Sequence, residues 1–410
     1  VSNLTWTFIG LFIFQKLTQL WLNARQIKSI KFNQHHVAQH LQDMMNLDNH
    51  QKASGYNLAR LKISQFAILN SILLFVLFFP LRGVDFIQSW VINSEMSQLM
   101  QFLFFMLAMS LIEDLFHLPF EIYQTFHLEK KYGLSNMTLK IYLSDKLKSF
   151  MIGVILTTAL SWIFLKSIEW SEQWWFYFWM IFMAIQLTML YLYPVLIAPL
   201  FNKFSPIENV ELRDKLNQLA RDVDFPLKDL QVMDASLRSN QSNAYFTGFG
   251  TKKKIVLFDT LVKQLTPDQL HAVLAHELGH FKLKHITKTI LSMFVLSFFA
   301  FYLLGILYNN PHFYSVHFVS DMTPYAAIFL FTKVLSVYLF PITPLASWIS
   351  RKREFEADAF AKKYSKSVDL INALKILSKE NLAVTYPDSI YALFYYSHPP
   401  MSERIEKLNA

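Results

Sequence analysis

The stretch Val273-Leu274-Ala275-His276-Glu277-Leu278-Gly279-His280, followed closely by the apolar run Ile286–Tyr308, decides how this chain is read. Its first part is an HExxH pattern. Two histidines four residues apart lie on one face of a helix and can bind one metal ion side by side. The glutamate between them can reach a water on that ion. Ala272, Ala275 and Gly279 are small, which suits a helix pressed against other structure. The second part has the length of about 20 apolar residues that a bilayer crossing requires. The motif therefore stands at the mouth of a membrane span.

Outward from this stretch the pattern repeats. Seven apolar runs are expected to span: Leu4–Leu22, Ile63–Leu81, Leu99–Tyr123, Phe150–Ile168, Trp174–Pro194, Ile286–Tyr308 and Tyr325–Ile349. Of the 410 residues 53% are hydrophobic and only 17% charged, whereas soluble domains have about 25% charged residues. A large soluble helical protein is the competing reading, and the recurrence of long apolar runs argues against it. The net charge of +8 would suit a nucleic-acid partner, but the basic residues cluster in loops beside apolar runs, so a lipid bilayer is expected and nucleic acid is not. The first loop carries Arg25, Lys28, Lys31, Lys52, Arg60 and Lys62; the third carries Lys130, Lys131, Lys140, Lys146 and Lys148; the second and sixth, around Gly83–Gln98 and Asn309–Pro324, carry no Lys or Arg. The excess of Lys and Arg in cytoplasmic loops places the odd-numbered loops and the C-terminus in the cytoplasm, with the N-terminus outside. The first apolar run lacks the basic start and small-residue cleavage site of a signal peptide. There are no cysteines, which removes disulfides, thiolate metal sites and cysteine nucleophiles.

The expected organisation has four parts. Residues 1–201 form a membrane domain with five spans, 202–285 a catalytic segment, 286–350 two further spans, and 351–410 two or three C-terminal catalytic helices. Within the catalytic segment, Asn243–Phe249 and Lys254–Asp259 read as strands of a hairpin joined by Gly250-Thr251-Lys252.

A catalytic metal needs a third protein ligand and an open position. The candidates after the motif are His285, His312, His317, Glu354, Glu356, Asp358 and His398. His285 would lie half a turn round from His276, facing away. His312 and His317 fall in the sixth loop, on the opposite side of the membrane. Glu354 and Asp358 are four apart and share a helix face, with Glu356 pointing roughly opposite. One of the pair can ligate the metal while the other accepts a hydrogen bond from a ligand histidine. A solvated acidic face among Arg351, Lys352, Arg353 and Lys362 is the competing reading. In the third span Glu113, His117 and Glu121 recur every four residues beside Asp114. At membrane depth such groups would face protein or water; the alternative is that the span ends before them. Lys16 and Lys333 are expected to snorkel or to face the interior.

Several segments resemble the type 1 CAAX prenyl endopeptidase family: HELGH at His276–His280, EFEADAFAKK at Glu354–Lys363, YSHPPMSER at Tyr396–Arg404, SNAYFTGFG at Ser242–Gly250, IVLFDTL at Ile255–Leu261 and PFEIYQTFHLEKKYG at Pro119–Gly133. The resemblance runs from about Asn23 to the C-terminus. It implies a mainly α membrane protein, with seven transmembrane helices forming a barrel around a water-filled chamber and a gluzincin-like α+β zinc protease domain on the cytoplasmic side. It also implies one zinc ion per chain, held by His276, His280 and Glu354, with Glu277 as general base and Asp358 orienting a ligand. His398 and Arg404 match residues that stabilise the tetrahedral intermediate; alone, His398 would read as a loop residue and Arg404 as a solvated charge. Asn243, Ala244, Tyr245 and Phe246 match the strand bordering the substrate cleft. The expected substrate is a peptide or protein, possibly prenylated or membrane-associated, and the expected home is the bacterial inner membrane or, alternatively, the endoplasmic reticulum. Two positions depart from the family pattern: Gln241, where His is frequent, and Glu356, where Gln is frequent. A quality-control membrane protease without prenyl preference is the alternative enzyme. A seven-span receptor or transporter is the alternative outside enzymes, and it leaves HExxH and Glu354 on one side unexplained.

Overall fold

The structure, a computed structural model, describes residues 2–248 and 253–410. It is mainly helical. Among the described residues six helices are long and apolar enough to cross a membrane, within Leu47–Phe78, Gln98–Tyr132, Leu139–Trp170, Trp174–Phe201, His285–Tyr308 and Pro324–Tyr364. These carry six of the seven expected spans. The seventh, Leu4–Leu22, lies in a helix over Asn3–Asn33 that is long enough but less apolar, since Gln15, Lys16, Thr18 and Gln19 interrupt it.

Local signals set the helix starts. Ser2, Asn46, Ser97, Thr138 and Thr323 each accept a backbone N–H of the first turn of a long helix, which satisfies one of the donors that a helix start leaves open. The helices meet through an aromatic core: Phe12 stacks on Phe75 with centroids 3.7 Å apart, and Phe164 meets Trp174 and Phe178 edge-on. Their outer faces stay apolar and bare, with Leu291, Leu296, Ile155 and Phe150 all 60% exposed or more. Surface of that kind on adjoining helices is explained by lipid contact.

The loops sort into two groups. On one side the basic-poor loops meet: Arg82 Nη2 donates to Ser320 Oγ at 2.8 Å, Ser320 N to Asp85 Oδ1 at 2.8 Å, and Gln88 Nε2 to Asp321 O at 2.7 Å. On the other, the basic loops hold the catalytic segments: Arg25 pairs with Asp388 at 2.9 Å, Lys375 with Asp43 at 2.6 Å and Arg238 with Asp145 at 2.8 Å.

A four-stranded sheet has the order β1-β2-β4-β3, with β1 at Phe204–Pro206, β2 at Leu227–Met233, β3 at Ala244–Thr247 and β4 at Lys253–Phe258. β3 and β4 pair antiparallel, as the hairpin reading expects; the joining Gly250-Thr251-Lys252, and Phe249 of the first strand, lie outside the described residues. β2 joins β4 in parallel through a crossover. The sheet's buried Ile255 and Leu257 share a core with Leu212, Leu216 and Leu219 of the preceding helix (Val210–Asp222) and with Leu274 and Leu278 of the HExxH helix. Each such side chain contributes about 1.5–3 kcal/mol by leaving water, which fixes the motif helix beneath the sheet. The C-terminal segment holds three helices, Ser367–Glu380, Ser389–Tyr395 and Met401–Asn409, after the end of a fourth, Thr343–Tyr364.

Candidate active site

The HExxH helix runs Pro267–Lys282. Thr266 and Gln269 cap it reciprocally, and Pro267 occupies its first turn, where a missing N–H is harmless. The helix packs on the one that carries Glu354 and Asp358, Thr343–Tyr364. Gly279 makes the approach possible: a Cβ there would lie 3.2 Å from the Ala357 Cα and carbonyl oxygen and 3.1 Å from the Phe360 Cβ. Beside this contact the two helices present His276, His280 and Glu354 to one another.

His276, His280 and Glu354 each offer a donor atom, and these lie within 4.8 Å of one another. The two Nε2 atoms stand 3.3 Å apart, and they lie 3.4 Å and 3.3 Å from the Glu354 carboxylate oxygens. His276 Nδ1 is 2.8 Å from Asp358, so its N–H is used there and Nε2 turns a lone pair to the cluster. Glu354 Oε2 is buried and accepts no hydrogen bond, an expensive state for a carboxylate oxygen unless a cation answers it. Two histidines and a carboxylate, with lone pairs converging and one oxygen unanswered, fit a tetrahedral zinc site with an open fourth position. Burial opposes charge on His276, yet the Asp358 and Glu354 carboxylates outweigh it and push its pKa up to about 9; the pocket favours positive charge, and a bound cation would take the place of a proton on Nε2.

Glu277 lines a cleft of about 300 Å³ together with His280, Glu354, Tyr245 and Phe246. Burial raises its carboxyl pKa above the ordinary range, against the lowering effect of His276 and His280. That is the direction a base working near neutrality needs. His398 is exposed, with Nε2 3.5 Å from Glu354 Oε2. Arg404 is buried and grips Asp358 with two hydrogen bonds, Nε at 2.8 Å and Nη2 at 2.6 Å; its Nη1 is 3.9 Å from Glu354. Of the strand residues, Tyr245 and Phe246 line the cleft, Ala244 is buried and Asn243 is exposed at the strand start.

One sequence expectation needs correction and one needs completion. His285 does not face away. The motif helix ends at Lys282, and Lys284 takes a left-handed conformation with φ 56°, so the geometry of a continuing helix does not apply. His285 is buried with Nδ1 3.0 Å from His280 Nδ1. Glu356 does point away from Glu354, but it ends 3.0 Å from His285 Nε2 and thus supports His280 from behind. Neither contact leaves a sequence signal, because both depend on the turn after Lys282. Arg351 was also unforeseen: it donates to the Ala392 and Tyr396 carbonyls at 2.9 Å each and so fixes the turn leading to His398. His317 is buried with Nδ1 on the Phe313 carbonyl, among the basic-poor loops and remote from the cluster. In the spans, Lys333 pairs with Glu113 and Lys146 with Glu121.

Comparison with known proteins accounts for both halves of the chain. The family described as CAAX prenyl protease N-terminal, five membrane helices, matches residues 26–203, and Peptidase family M48 matches residues 206–410. The chain belongs to peptidase family M48. This M48 peptidase is 32% identical to a CAAX prenyl protease 1 homolog of Arabidopsis thaliana over 98% of its own length and 97% of the relative's. It is 32% identical to CAAX prenyl protease 1 of Saccharomyces cerevisiae over 99% and 96% of the two lengths. It superposes on the crystal structure of S. mikatae Ste24p with a TM-score of 0.92 at 31% identity, covering 100% of this chain and 99% of that one. It is therefore an integral-membrane metalloendopeptidase acting on protein or peptide substrates.

Proposed function

We propose that the metal is zinc, held by His276, His280 and Glu354, and that the enzyme cleaves CAAX-type prenylated proteins at the membrane. The observation that carries this reading is the convergence of three donors on one point beside Glu277, in a cleft bordered by β3. Bound zinc would supply a Lewis acid that lowers the pKa of water to about 7 and polarises the scissile carbonyl. Glu277 takes the proton of the attacking water and returns it to the leaving amine. His398, exposed beside Glu354, donates to the oxyanion. Arg404 is read differently from the sequence expectation: with its guanidinium spent on Asp358, it positions Asp358, which positions His276.

β3 is an edge strand, so one side of its backbone is open to an extended peptide. Phe258 N donates to Asn243 O at 3.0 Å. In an antiparallel ladder the bonded pairs alternate, so Tyr245 faces β4 while Ala244 and Phe246 direct their N–H and C=O groups outward. Ala244 N–H is already bonded to Asn243 Oδ1 at 2.8 Å, which leaves Phe246 as the first free donor. Phe246→Pro is expected to reduce cleavage well below the level of Phe246→Ala, which keeps the N–H and loses the same ring. Equal rates in the two variants would dismiss backbone pairing.

The loop charges support seven spans with the site facing the cytoplasm. Cysteines introduced at Asn310 and at Lys253 should then react with impermeant reagents from opposite sides of the membrane. Reaction of both from one side would remove the topology. Zinc measured in purified protein should be one per chain and should be lost in His280→Ala; metal retained in that variant would refute the ligand set.

A further inference from the structure

Arg353 immediately precedes Glu354 and lines the same cleft as Glu277 and His280. It is half-buried, and its Nη1 donates to Thr289 Oγ1 at 2.6 Å. Unlike Arg25, Arg238 and Arg404, each paired with a carboxylate, Arg353 has no acidic partner among the described residues within the 4.0 Å of an ion pair. The nearby acids are engaged: Glu354 faces the histidine pair, and Glu356 is bonded to His285. The same two helices add exposed Lys284, Lys288 and Lys352 near this end. The result is a planar cationic fork, anchored by one hydrogen bond and with its other donors unspent, at the end of a peptidase cleft. A fork of this kind matches a carboxylate, which it binds through two parallel hydrogen bonds.

We propose that Arg353 is the receptor for the substrate's C-terminal carboxylate. This rests on the CAAX reading. A CAAX box is by definition the end of a chain, so a peptide cut within it carries a free carboxylate a few residues from the scissile bond. The edge strand reads the backbone and gives little selectivity by itself. Arg353 adds a fixed terminus: a chain that ends at the right distance gains a charged contact, and a chain that continues past it does not. Internal peptide bonds of folded or unfolded proteins are thereby disfavoured.

The test uses full-length, zinc-loaded enzyme and one fluorescence-quenched peptide with its scissile bond near the C-terminus, made as the free acid and as the carboxamide. The acid is expected to exceed the amide about 10- to 100-fold in kcat/KM, mainly through KM, the range of a hydrogen bond to a charged group. Arg353→Gln should bring the ratio close to one, with Arg353→Lys between, and zinc content should stay at one per chain. Glu277→Gln enzyme reads the subsite without turnover and should bind the acid more tightly than the amide. A wild-type ratio near one, a ratio that survives Arg353→Gln, or equal binding to Glu277→Gln overturns the assignment. So does a loss, in Arg353→Gln, of binding to vesicles of anionic lipid with the ratio intact, because Arg353 then serves the bilayer. Failure of wild type to cleave either peptide while Glu277→Gln still prefers the acid would instead strike the peptidase reading.

Discussion

Glu277→Gln is expected to lower kcat about 10²- to 10⁴-fold, the share that a positioned base supplies, with zinc content and thermal stability unchanged. The amide is isosteric with the carboxylate, and Glu277 makes no hydrogen bond or ion pair among the described residues that the exchange would break. It lies in the cleft while His276 and His280 turn to Glu354. Steady-state cleavage of a quenched peptide, beside metal analysis of the same sample, checks both halves. Turnover near the wild-type rate would mean that another group takes the proton. Because the variant still binds substrate, it is also the form in which natural substrates can be trapped.

The second large effect is expected at Asp358. Its side chain is 3% exposed and answers two partners, His276 Nδ1 at 2.8 Å and the Arg404 fork. Asp358→Ala should weaken zinc binding about 10- to 100-fold by freeing the His276 ring. It should also cost about 3–5 kcal/mol of stability, because Arg404 is left charged and buried without its hydrogen-bonded partner, facing only Glu354 at 3.9 Å. The two losses can be separated. Adding Arg404→Leu removes the stranded charge and should restore part of the melting temperature, while zinc affinity stays low. If stability and affinity recover together, Asp358 acts on Arg404 alone and does not orient His276. If zinc affinity never falls, the orienting role is wrong from the start.

What was legible in the sequence follows from where the information is local. The HExxH spacing, the run Ile286–Tyr308 and the face shared by Glu354 and Asp358 are helix-period signals, and helices carry their geometry within a few residues. The β3–β4 hairpin was legible because its strands are close in sequence. β2 was not: Leu227–Met233 pairs with β4 in parallel, and nothing in LKDLQVM reveals a partner that lies beyond the intervening Ala235–Leu237 turn and β3. His285 was misplaced for a related reason. Extending one helix past Lys282 gives the wrong face, since the left-handed residue Lys284 restarts the chain in a new direction. Arg404 read as a solvated charge because its only strong partner, Asp358, is 46 residues away in the chain. Arg353 was counted among surface charges, and only the cleft shared with Glu277 sets it apart.

The three proposed metal donors are divided in the chain by two helices long and apolar enough to cross a membrane. His276 and His280 precede the helix His285–Tyr308, and Glu354 lies towards the far end of the rod Pro324–Tyr364. A nascent chain that has delivered the first two donors must therefore pass out of the compartment and come back before the third arrives. On the proposed ligand set, metal capture waits until both crossings are threaded, and a copy with either one misinserted leaves the ring open.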